Sequence, residues 1–153
     1  MIKVIIFHNV QRNCRECDRP VMAVGEGWAH LHLPAGEAHA VPSITMPAFV
    51  IGYQPGHAIV RVFETQVGET KDALRVAERM FQIGNIGPEF QEGTNADLAA
   101  AYRKPGLRSL AVGDVVQVGE VILHCAPVGF RRVSGKLNEV ATGDWGSVPW
   151  VSK

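Results

Sequence analysis

Apolar positions along the chain fall into short blocks separated by turn-forming residues. The opening block, 2–7, alternates poorly between apolar and polar but is rich in β-branched residues, which predicts a buried strand. Strand character returns over 48–53, and Gln54-Pro55-Gly56-His57 puts proline and glycine where a type II turn wants them. The block 58–67 reads as a second strand, so 48–67 is expected to form a hairpin. Between 71 and 83 the period changes. Leu74, Ala77, Met80 and Phe81 recur at spacings of three and four, which sets them on one helix face. Thr70 is placed to cap this helix, Asp72 suits the positive end of its dipole, and Gly84 is placed to end it. A shorter helix over 96–103, capped by Thr94 or Asn95, should stop at Pro105-Gly106. Two further strands, 115–118 and 121–125, flank Gly119-Glu120, a two-residue loop that permits a II′ turn.

These elements predict an α+β fold: a mixed, largely antiparallel sheet with one main helix and one short helix, plus a small zinc-binding insertion. Residues 1–133 form a single domain, with 9–41 inserted as a metal module, and 134–153 form a polar C-terminal tail carrying Trp145 and Trp150. More often than not, such tryptophans pin a tail to its own domain. An insertion of about thirty residues cannot bury much core, so it needs a metal or contacts with the main sheet.

Composition narrows the function. The 153 residues suit one domain, and fifteen basic side chains cancel fifteen acidic ones. Overall charge therefore does not favour non-specific nucleic-acid binding. No apolar run approaches a membrane span, and the opening MIKVIIFHNV is too short and too weakly basic for a signal peptide. Three cysteines make an odd count, which suits a reducing, cytoplasmic setting. Cys125, among apolar neighbours in a strand, reads as a core residue.

The chemistry-bearing feature is Cys14-Arg15-Glu16-Cys17, followed after twelve residues by His30, with His32 and His39 beyond. Two thiolates on a tight knuckle grip a metal that a returning strand completes, so the preferred ligand set is Cys14, Cys17, His30 and His39. His32 shares a strand face with His30 and is the substitute for either histidine. Trp28, on the same face, would shelter the site. The competing readings are a redox or reduced cysteine pair beside ordinary surface histidines, but the flanking residues do not announce the helix N-terminus that redox pairs use. Four protein ligands close a zinc site and make it structural, so the expected cofactor is structural Zn2+ and no catalytic residue is assigned. A zinc hydrolase with Glu37 as base is the alternative, without an H-E-x-x-H signature behind it. No G-x-S-x-G elbow, P-loop or G-x-G-x-x-G is present.

The basic stretch around Arg103, Lys104 and Arg108 is the candidate contact surface for a protein or nucleic-acid partner, with Arg131, Arg132 and Lys136 as a second cluster. The plainer reading of both is a solvated loop with ordinary surface charge.

The stretch Arg108-Ser109-Leu110-Ala111-Val112-Gly113-Asp114-Val115-Val116, with Gly129-Phe130 beyond it, resembles the RSLSVGDVV…GF signature of the YodL-like domain. Here Ala111 replaces the usual serine. The insertion in turn is similar to a zinc ribbon of the CxxC…WxH…H kind, matched by Cys14, Cys17, Trp28, His30 and His39. YodL-like domains occur in proteins of bacterial mobile elements and phages, and the resemblance carries no established reaction. It implies an accessory protein of a phage, plasmid or integrated element, acting as a non-enzymatic binding module; a purely structural or assembly protein is the remaining alternative. The motif itself reads as structural, since Gly113-Asp114 makes a turn into a strand.

Overall fold

The computed structural model describes residues 1–24, 27–31, 39–68 and 72–140. Thr70, His32, Glu37, Trp145 and Trp150 lie outside the described residues. The architecture is α+β, as the apolar pattern predicts. Strand β1 (Ile2–Asn9) lies in the interior of a six-stranded sheet of order β10-β6-β1-β7-β8-β9. The other members are β6 (Ala58–Val67), β7 (Val115–Val118), β8 (Val121–Cys125), β9 (Phe130–Arg132) and β10 (Asn138–Glu139). All neighbours pair antiparallel except β10, which runs parallel to β6. The sheet thus extends beyond residue 133 into the segment expected to be tail.

β1 alternates poorly because both of its faces are covered. Val4 and Ile6 pack with Val76, Ala77, Met80, Ile83, Ala99 and Tyr102, which come from helices α2 (Ala73–Asn85) and α3 (Gly93–Arg103). Ile5 and Phe7 point the other way, into a second cluster with Tyr53, Ile59 and Val115. Each fully buried side chain of this size contributes about 1.5–3 kcal/mol, so the two-sided burial of one strand outweighs any lost alternation.

Three expectations need correction. The run 48–53 is not a strand, and there is no 48–67 hairpin: Ala48–Ile51 is a single helical turn, α1, between Pro47 and Gly52, whose φ is 85°. Proline fixes a helical φ at its start and glycine supplies the positive φ that ends it. Helix α2 is capped by Asp72, whose side chain accepts the Arg75 N–H at 3.2 Å, and it runs through Gly84. Gly84 is buried there, because a Cβ would lie 3.1 Å from the Leu110 side chain. Helix α3 begins at Gly93, so Thr94 and Asn95 lie in its first turn rather than at its cap; both bind Arg79. Both predicted turns are present, the first without a hairpin around it. His57 N–H reaches the Gln54 carbonyl at 3.0 Å with Gly56 at φ 88°, and Gly119 takes φ 60° between β7 and β8.

Between β1 and α1 the chain makes two small sheets. One pairs β2 (Asn13–Cys14) with β5 (Ile44–Thr45), and the other pairs β3 (Val21–Val24) with β4 (Gly27–His30). The insertion therefore stands on a two-strand stem that includes residues 44 and 45.

Candidate metal centre

The cysteine knuckle is built by local backbone bonds. Asp18 N–H donates to the Cys14 carbonyl at 2.8 Å, and Cys14 N–H donates to the Arg19 carbonyl at 2.8 Å. Asp18 closes the turn at φ 58° and is the one described non-glycine residue with positive φ. Aspartate tolerates that region better than most side chains. Asn13 Nδ2 braces it by donating to Asp18 Oδ1 at 3.3 Å. The returning segment is tied down by Leu31 N–H to the Pro20 carbonyl, and Arg15 bonds Ser43 and the Ile44 carbonyl.

This geometry brings together the four preferred residues. One ligand atom each from Cys14, Cys17, His30 and His39 lies within 4.8 Å of every other. A tetrahedral zinc site with ordinary bond lengths requires ligand–ligand separations of roughly 3.3–3.8 Å, so only small adjustment separates this cluster from a coordination shell. Cys17 Sγ is already 3.3 Å from His30 Nε2, and the rings of His30 and His39 are 4.4 Å apart, centroid to centroid. His39 Nδ1 lies 2.9 Å from the Ala40 carbonyl, which can only accept. Nδ1 therefore carries the proton, and Nε2 is left with the lone pair a metal needs. A carbonyl or carboxylate partner of this kind fixes the tautomer of a metal-binding histidine. Glu16 Oε2, 3.5 Å from the same Nδ1, adds to that orientation. Cys14 is fully buried, Cys17 and His30 half-buried and His39 exposed, so the site is anchored on its thiolate side. Trp28 stacks over the buried Arg12 guanidinium at 4.9 Å, one strand position pair from His30. All three cysteines are free thiols. The Cys125 thiol is held up at about 11 by burial and the nearby Asp114 carboxylate, which fits a core residue.

The basic loop is placed differently from a contact surface. Arg108 forms a two-pronged ion pair with Asp114, at 2.6 and 2.7 Å, and only 12 % of its side chain is exposed. Arg103 donates to the Gly84 carbonyl near the end of α2. Lys104 alone of the three is exposed. The reason lies in Asp114, buried and accepting two further N–H groups, from Asn9 and Ala111, each at 2.8 Å. A buried carboxylate needs a cation and hydrogen bonds, and Arg108 is the cation within reach.

The same network reaches His8, which sequence reasoning missed. Tyr102 Oη donates to the Arg108 carbonyl at 2.7 Å and so accepts from His8 Nε2 at 2.6 Å. Burial holds His8 down at about 4, well below its ordinary 6.5, so it stays neutral. The signal available was an imidazole directly following the apolar block Val4-Ile5-Ile6-Phe7. Gly113, at φ 96°, lets the loop touch α1: a Cβ there would stand 2.6 Å from the Ala48 Cβ. The RSLAVGDVV stretch is thus an ion-paired bracket between β1, α1 and α3, with Gly113 and Asp114 buried at its centre.

Among known proteins, no family model, no curated protein and no solved structure matches the chain. No described helix is long and apolar enough to cross a membrane.

Proposed function

We propose that this protein is a small non-enzymatic binding module whose insertion is organised by one structural zinc ion. The observation that carries the reading is the convergence of four protein ligand atoms within 4.8 Å on a preformed knuckle. Two thiolates with two imidazoles suit zinc over hard cations, and four protein ligands leave no open position for water. The free thiols suit a reducing compartment such as the cytoplasm. The likeness of 108–116 to the YodL-like signature supports an accessory role in a phage, plasmid or integrated element, with a protein or nucleic acid as partner. Neither Arg103 nor Arg108 is the centre of that contact in this reading, because both are engaged within the fold.

Metal content per chain, on protein purified without added metal and with thiols kept reduced, tests the proposal. One zinc per chain is expected, lost in a Cys14→Ser/Cys17→Ser variant whose main sheet stays folded by circular dichroism. Wild-type protein without metal would overturn it.

A further inference from the structure

An open cleft of about 410 Å3 lies where the metal insertion meets the main sheet. Its insertion wall is made by Asn13, Asp18, Pro20 and Leu31, and its sheet wall by Gln11, the 55–57 turn and Asn138. That volume falls within the range of small-ligand sites. The polar walls are held in place before any ligand arrives. Gln11 is fixed between the Ala58 N–H, which donates to its Oε1, and Asn13 Oδ1, which accepts from its Nε2. Asn138 Nδ2 donates to the Gly56 carbonyl, which leaves its Oδ1 as an acceptor. His57 Nδ1 accepts the Gln54 N–H at 3.2 Å and faces Asn9 Nδ2, also at 3.2 Å.

Asp18 supplies the single acidic side chain among the lining residues, and no described cation pairs with it. Asn13 occupies its Oδ1, so Oδ2 is open. The remaining walls are flat and apolar at Pro20, Leu31 and Pro55. A planar cation on an aliphatic stem matches this combination of one carboxylate, a carbonyl-type acceptor and apolar faces. A guanidinium is weakly hydrated, flat and rich in donors, which makes it the best fit.

We infer that this cleft is a binding site for a guanidinium group, carried either by an arginine side chain of a partner protein or by a small free molecule. The inference deepens the metal-organised reading and rests on it, because the knuckle that fixes Asp18 and the strand β4 that leads to Leu31 are the parts the metal would hold.

Amide NMR on the full chain, with its metal content measured on the same sample, tests it. The probes are N-acetyl-arginine-N-methylamide, the uncharged citrulline counterpart, and agmatine. Saturable shifts at Asn13, Asp18, Leu31, Gly56 and His57 are expected with arginine, at least tenfold weaker with citrulline. Asp18→Asn should weaken binding at least tenfold while retaining the metal. Agmatine binding as tightly as the capped arginine points to a free small molecule; tighter binding of the capped arginine points to a side chain in a protein. Zinc-loaded protein that shows no shifts, or that binds arginine and citrulline alike, overturns the cleft assignment. Metal-free protein that still binds arginine supports the cleft and overturns its dependence on the metal.

Discussion

Replacing Asp114 probes the bracket that the fold builds around one carboxylate. That carboxylate takes four contacts: Arg108 through Nη1 and Nη2, and the backbone N–H groups of Asn9 and Ala111. Removing one partner of a buried ion pair costs about 3–5 kcal/mol. Each orphaned buried N–H costs about 1–3 kcal/mol more. These terms overlap, since one group serves all four contacts and Arg108 keeps some access to water. Asp114→Ala is therefore expected to cost about 4–6 kcal/mol, a large part of the roughly 5–15 kcal/mol that stabilises a domain. Urea unfolding at pH 7 and fixed zinc, followed by circular dichroism, measures it. Asp114→Asn is the milder variant should the alanine fail to fold. A cycle with Arg108→Met should give a coupling of at least about 2 kcal/mol. The coupling should persist from about 0.1 to 1 M salt, because buried pairs are poorly screened whereas exposed ones are not. A cost below about 1 kcal/mol for Asp114→Ala, or a coupling that vanishes in salt, would mean that Arg108 is a surface charge after all.

Two further predictions concern the same bracket. Gly113→Ala combines a left-handed backbone with a 2.6 Å approach to the Ala48 Cβ, so it should cost about 2–4 kcal/mol in urea unfolding. Adding Ala48→Gly should restore part of that loss, and an unchanged midpoint for the single variant would refute the close approach. His8 has a folded-state value of about 4 against an ordinary 6.5, so below pH 6.5 the unfolded chain takes up a proton that the native chain refuses. Its contribution is fully present above pH 6.5 and is lost as pH falls toward 4, by up to about 3 kcal/mol. Stability measured at each pH should fall less steeply for His8→Gln than for wild type. Parallel curves would remove His8 from the account, whatever the Cys/His cluster does in acid.

The convergence of the Cys/His cluster was legible because C-x2-C is short-range: both cysteines sit on one turn, and the spacing to His30 fits a strand return. The main strands and the Gly119 hairpin were legible for a similar local reason. The run 48–53 was not, because a short apolar stretch fits a strand and a helical turn equally well. Pro47 and Gly52 bound the helical turn, and Ala48 seats against Gly113, a contact between residues far apart in sequence. Arg108 and Asp114 were read as charge and turn for want of knowing that 108–114 folds back over β1. His8 looked like any histidine until α3 placed Tyr102 against it.

The stem of the insertion has a consequence for how this chain can change. Cys14 and Ile44 are cross-strand partners, so the segment 15–43 leaves and re-enters the domain at two points about 5 Å apart. A segment with adjoining ends can change length in its outer loops without moving the stem beneath it. The lobe is nevertheless more than a graft on its stem: Met22 and Leu31 pack against Val10, Ala58 and Val60, so cutting it out and bridging 14 to 44 would expose a cluster that the lobe now covers.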